Sequence, residues 1–410
     1  MISRVKIFYF FLVFTVMLPY LSYLFPIIPD MILSFNLIGW AWILMLLVTV
    51  ILLPSRRKLT FPVLLWIPWI VYLVGYIMID FSFLGLQLTL QYLSPILVAM
   101  VASSFRYSNS DVIWISKAFT RLIILILILF AYGSLFKGGF VPTIATSPML
   151  LSISASLALG VFFIAKSKKY LAYFFILFLV PFFSVTRMAL AAFISLVVFH
   201  FANFSFKIKL LSGALGLALL FLVFNSESFQ KKTFTSGSGK YSDITINYYE
   251  NSKIKTTGRT TLRTALEPGL RESPIWGNGP RSDLVVLLLA TGNQLKESHN
   301  DYLAVRYNYG FVGLSFFLFG MLYTFFIIYK HRAKQKQTWI WLLESSTLTL
   351  YFSFFLFMYS DNILKYTIFF PNPFFAMMGM IFSIRRYGLG SGPYDQSRPQ
   401  LSQAQETGNE

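Results

Sequence analysis

Apolar residues run along this chain in long unbroken stretches, without the period-two alternation of a half-buried strand. Stretches near 7–25, 31–53, 61–79, 83–104, 111–136, 148–165, 170–186, 188–205, 208–225, 301–329, 338–360 and 366–384 each approach the ~20 residues that a helix needs to cross a hydrocarbon layer. The pattern predicts an all-α polytopic membrane protein of about twelve transmembrane helices. The part from Tyr170 to Phe206 allows two readings: two helices meeting at Thr186-Arg187, or one long helix with a re-entrant piece. The first run follows Arg4 and Lys6, exceeds the ~7–15 residues of a signal-peptide core and has no small-x-small site after it, so it is expected to be an uncleaved first helix.

The polar positions between the runs carry the topology. Basic clusters fall on alternate connections: Arg4/Lys6, Arg56/Arg57/Lys58, Arg106, Lys166/Lys168/Lys169, Lys207/Lys209, Lys330/Arg332/Lys334/Lys336 and Arg385/Arg386. Lys and Arg accumulate on cytoplasmic loops, so this alternation predicts that both termini are cytoplasmic and that 226–300 lies on the opposite, periplasmic face. The two-helix reading of 170–206 keeps Lys168/Lys169 and Lys207/Lys209 on one side. The expected organisation is nine spans in 1–225, one large periplasmic loop over 226–300, three spans in 301–384 and a disordered cytoplasmic tail over 385–410. No internal repeat is visible.

Composition agrees. The chain is 56% hydrophobic and 12% charged, about half the charged share of a soluble protein, which excludes a soluble domain. The net charge of +18 sits in the short connections between spans rather than on a basic helix or stacking platform, so no nucleic-acid partner is expected. Without cysteine the chain has no disulfides, thiolate metal ligands or thiol nucleophiles.

Candidate chemistry concentrates in and after the large loop. It holds ten Lys and Arg against seven Asp and Glu, on the side that should be poor in basic residues. Long translocated loops tolerate charge, but a few of these arginines could instead serve an anionic ligand. Leu262–Leu270 and Leu284–Ala290 read as short amphipathic or interfacial helices lying on the bilayer, separated by a turn cluster at Pro274-Ile275-Trp276-Gly277-Asn278-Gly279-Pro280. Arg187 lies between two apolar runs, where a guanidinium costs ~2.5–3.5 kcal/mol on insertion scales; it either snorkels to the headgroups or meets a ligand. His299, the one histidine of three on the periplasmic side, stands at the start of the span 301–329, where an imidazole can take a proton from a hydroxyl near neutral pH. His299, Tyr302, Arg306, Gly310 and Gly313 recur at helical steps and are expected on one face, the glycines admitting another helix. Asp361 and Asn362, at the outer end of the eleventh span, either add a carboxylate and an amide to the same pocket or form a simple helix-end turn. Arg263, Arg281, Arg306 and Asp361 join the substrate-binding candidates on chemistry and position.

Thr186-Arg187-Met188-Ala189-Leu190, Thr257-Gly258-Arg259, Gly277-Asn278-Gly279, His299-Asn300-Asp301-Tyr302-Leu303 and Gly310-Phe311-Val312-Gly313-Leu314, in this order and with this spacing, resemble the O-antigen ligase/polymerase family. The resemblance covers roughly the second half of the chain. It implies a GT-C-like glycosyltransferase of the inner membrane, inverting and independent of metal or other cofactor, whose donor is a glycan on undecaprenyl pyrophosphate. It gives Arg187 and Arg259 the donor pyrophosphate and His299 the acceptor hydroxyl. That division suits the residues: Arg presents a permanently charged fork to phosphate oxygens, and no DxD-like acidic cluster is seen on the outer face. Twelve spans and one large loop point to the ligase, with lipid A–core as acceptor and membrane lipids as surroundings. An O-antigen or exopolysaccharide polymerase is the alternative within the family. A lipid-linked glycan transporter is the alternative of another class, although no repeated halves or Walker-type loop are present.

Overall fold

The computed structural model of the chain describes residues 3–24, 28–29, 31–33, 35–53, 59–136, 147–183, 187–201, 259–291, 296–333 and 338–389, with positions 214, 218, 221 and 225. Among them the chain is almost wholly helical: α1 (Arg4–Leu24), α2 (Leu37–Leu52), a 3-10 turn (Val63–Trp66) running into α3 (Ile67–Ile79), α4 (Phe83–Ser103), α5 (Asn109–Phe136), α6 (Ser147–Ala165), α7 (Lys168–Phe183) and α8 (Arg187–Phe201). After these come α9 (Arg259–Glu272), α10 (Ser282–Ala290), α11 (Asp301–Lys330), α12 (Trp339–Ser360) and α13 (Pro371–Tyr387). The one sheet among the described residues is two-stranded and antiparallel, β1 (Met31–Ile32) and β2 (Phe35–Asn36). The predicted run 208–225, the clusters at 56–58 and 207–209, the loop from 226 to 258 and the tail beyond 389 lie outside the described residues, apart from the four isolated positions.

Local chemistry sets the boundaries. The run 31–53 becomes helical only from Leu37, where the Asn36 side chain accepts the Gly39 N–H at 2.7 Å. Ser82, Asn300 and Thr338 cap α4, α11 and α12 in the same way. The run 366–384 becomes helical only at Pro371, because a proline has no N–H to carry a helix backwards through it; residues 361–370 form buried turns instead. Over 170–206 the chain makes two helices. Phe174 and Phe178 of α7 both meet Phe193 of α8, so the pair is an antiparallel hairpin.

Four helices are long and apolar enough to cross a membrane among the described residues: the Arg4–Leu21 part of α1, then α4, α11 and α12. Large apolar side chains stand exposed on the outside of the bundle, among them Leu64, Met78, Ile79 and Phe83 at 80% or more, as a lipid-facing surface requires. With the composition, these features make the chain a membrane protein. Its core is aromatic: Trp66 and Trp69 of α3 and its leading turn, Tyr92 of α4, Phe317 of α11, Phe354 of α12 and Phe374 of α13 are all buried. Gly379 lets α13 press against the Ala99 carbonyl of α4, a spacing at which a Cβ would lie 2.8 Å from the Ala102 side chain.

Contacts between helix ends sort the charges. Tyr9 and Tyr107 hydroxyls meet at 3.2 Å, Thr60 donates to the Ser103 carbonyl, and the Arg106 guanidinium lies 5.2 Å from the Tyr387 ring centroid. Arg385 pairs with Glu344 at 2.7 Å and donates to the Ile327 and Ile328 carbonyls. Ser156 and Ser346 exchange hydrogen bonds and Gly160 faces Leu342, so the end of α6 lies by the start of α12. One end of the bundle therefore collects Arg4/Lys6, Arg106, Lys166/Lys168/Lys169, Lys330/Arg332 and Arg385/Arg386, five of the seven predicted clusters; the other two are outside the described residues. The starts of α8 and α11 and the end of α12 lie at the opposite end, because α7, α12 and α13 run between the two.

Candidate functional site

At that opposite end the loop elements are built into the membrane bundle. α9 buries Leu262 and Leu266 against Leu287 of α10 and Tyr307 of α11, while Arg263, Glu267 and Arg271 face outward, as the amphipathic pattern predicted. Gly269 gives Tyr307 room: a Cβ there would stand 2.5 Å from its hydroxyl.

The predicted turn cluster then does something the sequence did not disclose. α11 breaks at Gly310, whose backbone (φ 66°, ψ −170°) is outside any helical region. Residues 274–279 lie in the break. Asn278 and Gly279 N–H donate to the Tyr307 and Asn308 carbonyls at 2.9 and 3.0 Å; Phe311 and Val312 N–H donate to the Pro274 and Ile275 carbonyls at 3.0 and 3.1 Å. Backbone groups freed by a break at membrane depth need partners of this kind, since lipid offers none. Gly277 also holds a positive φ, and a Cβ on it would run into Gly310 N and Asn308 O. Tyr72 and Tyr76 of α3 donate to the Trp276 carbonyl and fix the loop to the first half of the chain. Gly310 therefore admits a loop rather than a second helix, whereas Gly313 does face a helix, with Tyr72 and Trp69 of α3 against it. The expected common face ends at the break: Tyr302 donates to Phe355 of α12, and His299 precedes the helix altogether.

His299 sits just before the Asn300 cap in the left-handed region, at φ 50°. Its side chain is 41% exposed, and Nδ1 lies 3.7 Å from Asp361 Oδ1 and 3.5 Å from Asn362 Nδ2. The carboxylate is within ion-pair range but beyond a good hydrogen bond. Asp361 and Asn362 thus lie beside the His299 ring and also form the helix-end turn, Asp361 being the C-terminal cap of α12. Nδ1 faces these partners, and Nε2 has no hydrogen-bond partner among the described residues.

The arginines are distributed unevenly. Arg187 is the first residue of α8, at the same end of the bundle as His299, and Arg259 is the first residue of α9. The later part of α9 lies against Tyr307, so Arg259 heads the end of that helix away from the Gly310 break. Arg263 follows one turn on and is exposed. Arg306 lays its guanidinium 4.1 Å from the Phe311 ring centroid, past the break, with Nε buried and unpartnered. Arg281 is held by Glu297 through two hydrogen bonds of 3.0 and 3.3 Å. Burial alone would lower its pKa, but the Glu297 and Asp283 carboxylates outweigh that and raise it.

Sequence reasoning missed the groups beside these. Lys365, 4% exposed, donates to Asp283 at 3.4 Å and to Glu297 through a shorter contact. Asp301 is buried and accepts the Leu364 N–H at 3.0 Å. Asn308 accepts from Ser282 and from the Asp283 N–H, anchoring α10 to α11. A lysine inside an apolar run was the available signal for Lys365; its partners are 68 and 82 positions away. No group of three or more His, Asp or Glu with metal-holding geometry occurs among the described residues. An apolar cavity of about 450 Å³, lined by Leu59, Phe61 to Leu65 and Ile327, lies at the basic end and holds no titratable group.

No curated protein matches the chain. The model of the O-antigen ligase family matches residues 172–318, from α7 through the Gly310 break, and includes Arg187, Arg259, Arg281 and His299 but not Asp361 or Lys365. The resemblance read from the motifs thus has independent support: over that segment the chain is similar to the O-antigen ligase family.

Proposed function

We propose that the chain is an inner-membrane glycosyltransferase that moves a polysaccharide from undecaprenyl pyrophosphate to lipid A–core, with its site facing the periplasm. One observation carries this reading. His299, inside the family match, is set against Asp361 and Asn362 at the end of the bundle opposite the basic clusters.

In the proposed step the acceptor hydroxyl oxygen attacks the anomeric carbon of the donor sugar while the bond from that carbon to the pyrophosphate oxygen breaks. His299 Nε2 takes the hydroxyl proton, and the Asp361 carboxylate beside Nδ1 stabilises the imidazolium. The 3.7 Å separation shortens once substrate closes the site, as apo catalytic contacts commonly do. Negative charge then grows on the departing undecaprenyl pyrophosphate, and Arg187 and Arg259 bind it. A guanidinium fork suits a diphosphate, and both residues head helices whose N-termini also attract anions. Arg263 and Arg306 extend the positive surface for the glycan and the second phosphate. The twelve-span topology, with both termini cytoplasmic, belongs to the same proposal and draws support from the collection of five basic clusters at one end.

The test is deletion of the gene followed by complementation. With wild type the lipopolysaccharide ladder returns; with His299→Ala it stays absent while lipid-linked polymer accumulates and the protein remains in the membrane. A deletion strain that shows core bearing a single repeat unit identifies a polymerase instead. Wild-type ladders from His299→Ala remove the base assignment.

A further inference from the structure

His299 and Asp361 belong to two separate segments, 296–300 and 361–370, and stand just outside helix ends, His299 before the Asn300 cap of α11 and Asp361 as the C-terminal cap of α12. Two ties join those segments. Glu297 accepts from Lys365, and Asp301 accepts from the Leu364 N–H. The ties fall on either side of His299, two residues before it and two after. On the other segment both follow Asp361, by three and four positions, so the pair of contacts brackets His299 and lies within about one turn of Asp361.

His299 needs such bracketing. A non-glycine residue at φ 50° occupies a sparsely populated region, and it persists only where the surroundings over-determine it. The first tie is buried and charged throughout: the side chains of Lys365, Glu297, Asp283 and Arg281 are 4%, 17%, 0% and 15% exposed. Glu297 receives Arg281 from the start of α10 and Lys365 from the α12–α13 loop, and Lys365 reaches on to Asp283 in α10. Three segments are thus pinned at one carboxylate.

We infer that Glu297 and Lys365 are positioning residues, a buried charged clamp that holds the His299 segment on the Asp361 segment. Neither residue touches substrate: Lys365 is spent on two carboxylates and Glu297 on two cations. The inference rests on the proposed transfer reaction for its use, but the clamp itself has a readout independent of activity.

The chain has no cysteine, so His299→Cys/Asp361→Cys in the full-length protein in membranes carries the only two thiols. A short bifunctional thiol reagent bridges them rapidly while the clamp is intact. Adding Lys365→Met or Glu297→Gln lowers the bridging rate by about tenfold, and Lys365→Arg, which keeps the charge, largely restores it. On the cysteine-free chain, with undecaprenyl pyrophosphate-linked glycan extracted from membranes as donor, Lys365→Met lowers kcat by ~10- to 100-fold with little change in donor KM. Glu297→Gln keeps the side-chain shape and serves where Lys365→Met fails to accumulate. Unchanged bridging in both variants overturns the clamp, whatever turnover does. Bridging that falls as expected while His299→Ala retains wild-type transfer leaves the clamp standing and overturns the reaction assigned to it.

Discussion

One methyl group added at Gly310 sets the 274–279 loop against the helix it fills. A Cβ there would lie 2.6 Å from the Trp276 carbonyl carbon and nearer still to the Ile275 carbonyl. Either the loop leaves or α11 straightens. Leaving breaks four loop-to-helix backbone bonds, worth ~1 kcal/mol each, and the φ of 66° adds ~1–3 kcal/mol of strain for a side-chain-bearing residue. Straightening relieves that strain and restores helical partners for Phe311 and Val312, but the displaced loop also loses the Tyr72 and Tyr76 hydrogen bonds to the Trp276 carbonyl, so Gly310→Ala should cost on the order of 3–5 kcal/mol. Two other glycines separate the contributions. Gly388 has φ 72° with nothing within 4 Å, so alanine there meets strain alone, ~1–3 kcal/mol. Gly75 is helical with nothing within 4 Å, and alanine should be neutral or stabilising by ~0.5–1 kcal/mol. Thermal unfolding in detergent should rank the variants Gly75→Ala, Gly388→Ala, Gly310→Ala from most to least stable. Gly310→Ala should also lose transfer, because the loop leads directly to Arg281. If Gly310→Ala unfolds together with Gly75→Ala and keeps full transfer, the argument from the inserted loop is wrong.

His299→Ala should abolish transfer at every pH while the protein still inserts, read by lipopolysaccharide gels and by release of undecaprenyl pyrophosphate from purified protein. Arg187→Ala and Arg259→Ala should each raise donor KM or lower kcat, and Lys should restore either one poorly because an ammonium lacks the bidentate fork; equal rescue by Lys in a steady-state assay would remove that role. Lys365→Met should slow both thiol bridging and turnover, as set out above. At the basic end, Arg385→Met leaves the Glu344 carboxylate, 2% exposed, without its cation; a loss of ~3–5 kcal/mol should appear in thermal unfolding, and the companion change Glu344→Leu should return part of it.

Most of the helices were legible because a membrane helix announces itself by length and apolarity. The two-helix form of 170–206 followed from charge parity alone, and Phe174 and Phe178 against Phe193 bear it out. The late starts of α2 and α13 were not read, although the causes, Asn36 and Pro371, are plain in the chain. Periodicity assumed that α11 was continuous and so gave Gly310 a helix partner. A glycine followed by an apolar run looks the same whether it admits a neighbour or breaks the backbone; the deciding fact is that 274–279 returns to it, a contact about 35 residues long-range that no local pattern encodes. His299 and Asp361 were named from position, but the charged clamp was not. Glu297 and Asp283 read as ordinary loop charge, and Lys365 was not singled out at all.

The division of labour between the halves of the chain follows from the same contacts. A loop cannot hold charged groups in place at a membrane surface unless its own backbone polar groups are satisfied, and lipid satisfies none of them. Here the loop borrows partners from a helix that is broken for the purpose, and α3 contributes Tyr72 and Tyr76 hydroxyls to the Trp276 carbonyl. The aromatic packing of Trp69, Tyr92 and Tyr309 then ties that loop-bearing segment of α11 to α3 and α4. The candidate site residues fall from Arg187 onward, while the first half supplies the wall against which the loop is set. A wall of this kind depends on shape, hydroxyls and ring edges rather than on particular charged motifs. The family match at residues 172–318 likewise begins after the first six helices.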